Sequence, residues 1–192
     1  SATVEVEDNT NPTAICQDIT VYLDATGNTS ITANDIDDGS LDNCGIASMS
    51  VSPNSFSCSG VGTNPVTLTV VDLNGNVSTC SSTVTVVDTV APIAICQDIT
   101  IQLDSLGNVS IDPTQVDNGS SDACGIDTMI VSPNTFDCSD VGANQVTLTV
   151  TDINGNSTTC SATVTVEDNV APTAICQDIT VQLDATGNVS IS

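Results

Sequence analysis

Hydrophobic and polar residues alternate one by one in short stretches of this chain, and turn-forming residues separate those stretches. Residues 66–70 read Val-Thr-Leu-Thr-Val and residues 83–86 read Thr-Val-Thr-Val. This is the period-two pattern of half-buried strands rich in β-branched side chains. Between the two strands, Asn74 and Gly75 supply the positive-φ pair of a tight turn. The pattern therefore predicts a β-hairpin.

The preceding residues also predict strands and turns. Asp-Ala-Thr-Gly-Asn at 24–28 turns a first strand into a second strand at 29–32. A polar, acidic loop follows at 34–45, and a third strand at 46–52 ends at Pro53. No stretch has helical periodicity. Several short strands in about 80 residues predict an all-β fold, an immunoglobulin-like β-sandwich.

This pattern returns along the chain with a period of 80 residues. The segment AICQDITVYLD at 14–24 reappears with small changes at 94–104 and again at 174–184. The first residues of the chain match the end of a repeat, and its last residues match the beginning of one. The predicted organisation is the last strand of a preceding repeat at 1–12, complete β-sandwich repeats at 13–92 and 93–172, and the first strands of a following repeat at 173–192. We therefore interpret the chain as a piece of a longer tandem array.

The charge of the chain excludes several classes of function. Among 192 residues there are 24 acidic side chains and no lysine, arginine or histidine, so the formal net charge is -24. Nucleic acids and anionic lipids are bound through basic residues, which do not occur here. The usual groups for acid–base and Schiff-base catalysis do not occur either, and we expect no enzyme. Composition alone does not exclude a catalytic carboxylate pair like that of a glycosidase.

The cysteine spacing is typical of structural disulfides. The nine cysteines are residues 16, 44, 58, 80, 96, 124, 138, 160 and 176. No two lie at metal-knuckle spacing, no histidine completes a zinc site, and there is no Cys-x-x-Cys redox pair. Disulfides place the protein outside the cytosol. No apolar run is long enough to span a membrane, so no membrane insertion is expected in this segment.

Strand order suggests how the four cysteines of a repeat pair. Three pairings are possible. The first and last strands of such a sandwich often run side by side, which favours Cys16 with Cys80 and leaves Cys44 with Cys58, across the third strand. A kink near Gln17 is then needed, because the alternation along the strand would place Cys16 on the face opposite to the apolar residues. The pairs expected in the second repeat are Cys96–Cys160 and Cys124–Cys138, with Cys176 unpaired in this segment.

The acidic side chains are predicted to converge where one repeat meets the next. The linker, the long loop and the hairpin all reach the same pole of the sandwich. Calcium binds six to eight oxygens, and without a cation these carboxylates would repel each other. The predicted calcium ligands are Asp8, Asp37, Asp42 and Asp72 in the first repeat and Asp88, Asp117, Asp122 and Asp152 in the second. The alternative is that these residues are turn formers that bond their own backbone.

Four segments of the second repeat carry a resemblance to a known kind of module. They are Pro-x-Ala-x-Cys-Gln-Asp at 92–98, Asp-x-Cys-Gly-Ile at 122–126, Phe-x-Cys-x-x-Val-Gly at 136–142 and Val-Thr-Leu-Thr-Val-x-Asp-x-Asn-Gly-Asn at 146–156. The chain resembles the hyalin-repeat-like, immunoglobulin-like modules of giant surface and gliding-motility adhesins of Bacteroidota. The resemblance implies an exported, cell-anchored filamentous adhesin with no catalytic residues, although the lack of any Lys or Arg departs from that pattern.

Two functions remain open from the sequence. The first is a structural extender, a stalk or filament, whose partners are neighbouring repeats and other copies in a filament. The second is a repeated module that binds a glycan, ice or a mineral surface through an outward-facing threonine ladder formed by Thr67, Thr69, Thr83 and Thr85. Sugar binding usually needs aromatic platforms, and Tyr22, Phe56 and Phe136 are the only aromatic residues. This favours the extender, and the sequence does not identify an adhesive target.

Overall fold

The computed structural model describes residues 1–191, and nearly all of its regular structure is β-strand. The first repeat contains β1 (Ile19–Tyr22), β2 (Asn28–Ser30), α1 (Ala33–Ile36), β3 (Ile46–Ser52), β4 (Ser55–Ser57), β5 (Gly62–Asp72) and β6 (Val77–Val87). The second contains β7 (Ile99–Gln102), β8 (Asn108–Ser110), α2 (Pro113–Val116), β9 (Ile126–Ser132), β10 (Thr135–Asp137), β11 (Gly142–Asp152) and β12 (Ser157–Glu167). No helix within residues 1–191 is both long enough and apolar enough to cross a bilayer.

Each repeat is an immunoglobulin-like β-sandwich, which confirms the predicted fold. A four-stranded sheet has the order β1-β6-β5-β3, and a two-stranded sheet of β2 and β4 lies opposite it. β1 runs parallel to β6, with Ile19 beside Val84. The second repeat has the same arrangement, β7-β12-β11-β9 and β8-β10. The first and last strands therefore lie side by side, as expected.

The alternating pattern of the long hairpin forms the core. Every second side chain of β5 points inward, and Val66, Leu68 and Val70 are at most 1% exposed. Ile31, directly after β2, and Phe56 of β4 close the core on the side of the smaller sheet. Each such side chain stabilises the fold by about 1.5–3 kcal/mol through burial, so the hairpin contributes most of the core.

The kink expected near Gln17 is present. The backbone of Cys16 forms a β-bridge with Asp37 of the long loop, whereas the pairing of β1 with β6 begins three residues later, at Ile19. Asp18 fixes the crossing, since its carboxylate accepts hydrogen bonds from the Thr83 N–H at 2.7 Å and the Ser82 hydroxyl at 3.0 Å. The chain thus changes partner at this point, which lets the cysteine side chain turn toward β6.

A helical turn occurs in the stretch that the sequence predicted to be a loop. In α1, the Thr32 N–H and hydroxyl both donate to the Asp35 carboxylate at 2.7 Å, and Ile36 is fully buried. In α2, Asp112 and Gln115 form the same reciprocal cap. Helical periodicity could not reveal one turn, but the cap signature of Thr or Asp followed three residues later by Asp or Gln could have.

Three disulfides form within residues 1–191, and two of them are the expected pairs within a repeat. They are Cys16–Cys80 and Cys96–Cys160, each separated by 64 residues. In the chain-entropy account, closing a loop of this length stabilises the fold by about 4 kcal/mol. Each bond ties the start of a repeat to its last strand.

The other expected pairs, Cys44–Cys58 and Cys124–Cys138, do not form. Cys58 is bonded instead to Cys124 of the next repeat, with their Cα atoms 5.1 Å apart, and Cys44 and Cys138 are free. The reason is distance. β3 lies between Cys44 and Cys58 and its seven residues span about 23 Å at 3.3 Å per residue, whereas a disulfide needs Cα atoms within about 7 Å.

Within the described parts of the two end segments, residues 1–12 and 173–191, there is no strand. Residues 1–12 were expected to form a last strand and residues 173–192 the first strands of another repeat, yet Val6 is 88% and Ile175 is 91% exposed. In the complete repeats the last strand pairs with β1 and β5, and the first strands pair with β6 and β4, or with their counterparts. The assignment of the end segments to neighbouring repeats stays a prediction, and residue 192 lies outside the described residues.

Candidate functional site at the repeat junction

The linker between the repeats is anchored at Asp88. This residue follows β6, is 5% exposed, and its carboxylate accepts a hydrogen bond from the Val90 N–H at 3.0 Å. Its backbone carbonyl accepts a hydrogen bond at 3.3 Å from the side-chain amide of Asn156, in the hairpin of the second repeat. The linker is therefore held by both repeats.

Asp88 and Asp122 form an acidic group at this junction. One ligand atom from each, with the Cys124 sulfur, lies within 4.8 Å of the others. Because that sulfur is part of a disulfide, the donors available to a cation here are oxygens. Asp8, Asp42 and Cys44 form the same group in the first repeat. The structure thus brings together the linker aspartate and the last aspartate of the long loop in each repeat.

Two buried oxygen atoms at the junction lack a hydrogen-bond partner among residues 1–191. They are Oδ2 of Asp88 and the side-chain oxygen of Asn154. Leaving a buried polar atom without a partner costs about 1–3 kcal/mol, and more for a charged group. A divalent cation would satisfy such oxygens, since calcium takes carboxylate and amide oxygens as ligands. The donor set therefore fits a hard cation.

In the first repeat, the carboxylate of the linker aspartate is held by its neighbours. The Thr10 N–H donates to it at 3.0 Å. This hydrogen bond and the nearby Cys44 thiol lower the pKa of Asp8, while its Oδ2 atom is buried without a hydrogen-bond partner within residues 1–191. The same contact with Asp8, together with burial and nearby acids, raises the pKa of the Cys44 thiol. The thiol is therefore kept protonated beside the acidic group.

Asp72 and Asp152 were expected to be ligands, but each builds its own hairpin turn. Asp72 accepts from the backbone N–H groups of Asn74 and Asn76 at 2.8 Å each, and from the Asn76 side chain at 2.7 Å. Burial raises the pKa of Asp72, yet these hydrogen bonds outweigh burial and leave it below its usual value. Asp152 makes the equivalent bonds. These two residues therefore stabilise their own hairpin turns.

Asp37 and Asp117 were expected at the junction and lie elsewhere. Asp37 forms an isolated β-bridge with Cys16, whereas Leu41 of the same loop forms one with Thr13. Asp37 therefore lies further from the linker than Leu41 does. The Ser40 N–H donates to its carboxylate at 2.9 Å, and the Ser40 side chain and backbone together lower the pKa of Asp37. Asp117 does the same with Ser120. For these two residues the alternative reading, a turn former, is the one that the structure supports.

The bond between Cys58 and Cys124 is the feature that sequence reasoning missed. Gly27 makes room for it, because a Cβ there would lie 2.6 Å from the Cys58 sulfur and 3.3 Å from the Ala123 Cβ. The turn before Cys124 faces Ala25 and the linker across a small apolar cleft. A signal existed in the sequence: the two cysteines are 66 residues apart, close to the 64 of the other pairs.

The expected threonine ladder is offset between the strands. Thr67 lies opposite Ser81 and Thr69 opposite Thr79, while Thr83 faces Pro65 and Thr85 faces Thr63. These side chains lie on the outer face of the large sheet, and none of the four is buried. The face is rich in hydroxyl groups, but nothing in it distinguishes a binding surface from ordinary strand propensity.

Comparisons with known proteins identify no family. No protein-family model and no curated protein matches the chain. Among solved structures, it is similar to human mucin-like protocadherin EC1-2 (13% identity, 82% of this chain and 98% of that chain, TM-score 0.43). It is similar to Clostridium thermocellum CbhA fibronectin(III)-like modules (12%, 87% and 97%, TM-score 0.30). A third is a protocadherin gamma B7 structure of extracellular cadherin domains 1-4 (15%, 84% of this chain, TM-score 0.38), of which the chain spans about half, 52%.

These similarities are too low to carry an argument about function. The resemblance to hyalin-repeat-like modules of Bacteroidota adhesins stays a prediction from the sequence.

Proposed function

We propose that the chain is an extender segment of an extracellular tandem-repeat protein, in which each junction is held stiff so that the array keeps its reach. The observation that carries this proposal is the disulfide between Cys58 and Cys124, which joins two consecutive sandwiches. Domains joined by a linker alone are expected to move relative to each other. Here the linker residue Asp88 is buried and bonded to the second repeat as well. The disulfide and this hydrogen bond together restrict that motion.

We further propose that calcium occupies the junction. Its ligands would be Asp88 from the linker, Asp122 from the long loop and the side-chain oxygen of Asn154 from the hairpin. The support is the buried Asp88 oxygen without a partner and the short distance between the two carboxylates. A bound cation would neutralise their repulsion and connect the linker, the long loop and the hairpin. In this role calcium is structural.

The wider setting is part of the same proposal. Three disulfides favour an oxidising, extracellular location. The resemblance to surface-adhesin modules favours a cell-surface protein that carries its adhesive part elsewhere. Neighbouring repeats are the partners, and no catalytic role is assigned to any residue. The net charge of -24 keeps such an array soluble and discourages collapse of one repeat onto another.

Small-angle X-ray scattering on the full chain tests this function. The maximum dimension is measured in millimolar calcium and in EGTA, for the natural chain and for a Cys58→Ser/Cys124→Ser variant. We expect a small calcium effect in the natural chain and a larger one in the variant, because calcium is then the main remaining tie. A maximum dimension that does not change with calcium would contradict the calcium site but would still support the extender role. A variable shape in all four samples would overturn the extender role.

A further inference from the structure

Two disulfides shorten the covalent route through the chain. Cys16 is bonded to Cys80 and Cys96 to Cys160, and each bond joins residues that are 64 positions apart. Between these bonds, Cys80 and Cys96 are only 16 positions apart in the sequence. The shortest covalent route from Cys16 to Cys160 therefore crosses the first bond, follows residues 80–96 and crosses the second bond. We call this route the covalent path.

Most of the covalent path is already extended in the folded protein. Residues 80–87 belong to β6, which pairs with β5 on one side and with β1 on the other. Residues 93–96 run between β-bridges to Ser121 and Asp117. A strand rises about 3.3 Å per residue, close to the maximum of about 3.6 Å that the chain can reach. Tension can therefore lengthen these parts very little.

The slack in the covalent path lies in the linker at 88–92. This segment follows β6, and the Val90 N–H donates to the Asp88 carboxylate, which turns the backbone here. The Asp88 carbonyl is held by Asn156 as well, so the turn is fixed to the second repeat. Even when they are fully straightened, the 16 positions between Cys80 and Cys96 span no more than about 60 Å.

The rest of each sandwich lies outside the covalent path. In the first repeat, residues 17–79 contain β1 to β5 and buried core side chains such as Leu68 and Val70. A pull on the two chain ends cannot stretch this part of the backbone, because the bond between Cys16 and Cys80 bypasses it. Without that bond the load would pass through the pairing of β1 with β6, which joins only four residue pairs. Such hydrogen bonds are far weaker than covalent bonds.

We propose that this protein bears tension along its length, and that the covalent path carries the load while the sandwiches stay folded beside it. The bond between Cys58 and Cys124 lies off this path, because a route through it is longer. Cys58 is 22 positions from Cys80, and Cys124 is 28 positions from Cys96. That bond restricts bending at the junction, whereas the other two limit stretching. This inference rests on the extender role proposed above and adds resistance to load to it.

Single-molecule force spectroscopy on the full chain tests this inference. Handles are ligated to the two chain ends, and the exposed thiols of Cys44, Cys138 and Cys176 are alkylated so that they cannot exchange with the disulfides under load. We expect the natural chain to lengthen smoothly as its end segments straighten, with no single step above about 60 Å, the limit that the covalent path sets. A larger step would overturn the inference, because it would mean that a sandwich unfolds within the route of the load.

Two variants that each lack one disulfide separate the two roles. In Cys16→Ser/Cys80→Ser the shortest route uses the bond between Cys58 and Cys124 and follows residues 16–58 and 96–124, which are 42 and 28 positions in place of 16. Its maximum length should exceed that of the natural chain by about 190 Å, whether or not its first repeat folds. In Cys58→Ser/Cys124→Ser the covalent path is unchanged, so its maximum length should be that of the natural chain. Equal lengths of the two variants would overturn the inference.

The extender role is judged separately by scattering, which reports bending at the junction without load. A junction that bends freely, in a chain that still shows the limit of about 60 Å under load, would contradict the stiff extender and leave the covalent path. A stiff junction in a chain that unfolds in larger steps under load would do the reverse.

Discussion

The side-chain amide of Asn156 donates a hydrogen bond to the backbone carbonyl of Asp88, a residue of the preceding repeat, at 3.3 Å. The same amide donates to the Asp152 carboxylate at 2.8 Å. One hairpin side chain therefore connects the turn of its own repeat to the linker that arrives from the previous one. Asn76 makes the same two contacts, with Asp8 and Asp72.

Asn156→Ala should loosen the junction, and Asn76→Ala is its matched control. Each variant loses hydrogen bonds in its hairpin, so each should lower the free energy of unfolding of its repeat by about 1–2 kcal/mol in urea titrations. Only Asn156→Ala removes a contact between the two repeats, so only it should broaden the distribution of shapes in small-angle scattering. Equal scattering changes in both variants would show that this clamp does not govern the junction.

Peptide mapping of the unreduced, alkylated protein should find the bond between Cys58 and Cys124. Trypsin has no site to cut, since there is no Lys or Arg, but a protease that cuts before aspartate gives distinct peptides. We expect the peptide 42–71 linked to 122–126, with an alkylated Cys44 in the former. A peptide 42–71 that is closed on itself, with both cysteines unalkylated, would restore the pairing within the repeat.

Acid should destabilise the sandwiches through their turn aspartates. Hydrogen bonds from Thr26 and Asn28 lower the pKa of Asp24, and those from Asn108 and Leu106 lower the pKa of Asp104. A folded pKa below the unfolded value of about 3.9 means that the stabilisation is present above that pH and is lost as the pH falls through the folded pKa. Asp24→Asn/Asp104→Asn should therefore lose less stability between about pH 4 and pH 2 in chemical denaturation.

The control for this pH effect is Asp184→Asn. The pKa of Asp184 is lowered by the same kind of turn, through hydrogen bonds from Asn188 and Thr186, but its segment belongs to no strand. Cooperative unfolding of the two sandwiches should therefore show the natural pH dependence in this variant. A change equal to that of the double variant would trace the acid effect to net charge instead of the turns.

Calcium binding should depend on Asp88 and be indifferent to Asp127. Both changes, Asp88→Asn and Asp127→Asn, remove one negative charge, but Asp127 is exposed on β9 and is not a member of the acidic group at the junction. By isothermal titration calorimetry, Asp88→Asn should weaken binding about tenfold or more, because it removes a ligand charge from the site. Equal, small effects of both variants would mean that calcium only screens the general charge.

Which side chains of a strand face the core could be derived from the sequence alone. A strand places successive side chains on opposite faces, so the alternation in residues 66–70 already assigns Val66, Leu68 and Val70 to the core. The tight turn at Asn74-Gly75 sets which strands are neighbours. For the same reason the pair Cys16–Cys80 could be deduced, since it depends only on the first and last strands lying together. These properties are local or depend on a single strand pairing.

Only the tertiary structure decided what meets at the poles of the sandwich. Cys44 and Cys58 are 14 positions apart in the sequence, yet β3 carries them to opposite ends, and the partner of Cys58 belongs to another repeat. Likewise Asp37 and Asp42 belong to one loop, but the β-bridge between Asp37 and Cys16 keeps Asp37 out of the acidic group that contains Asp42. Contacts of this kind depend on the length of a strand and the docking of two repeats, which no periodicity in the sequence records.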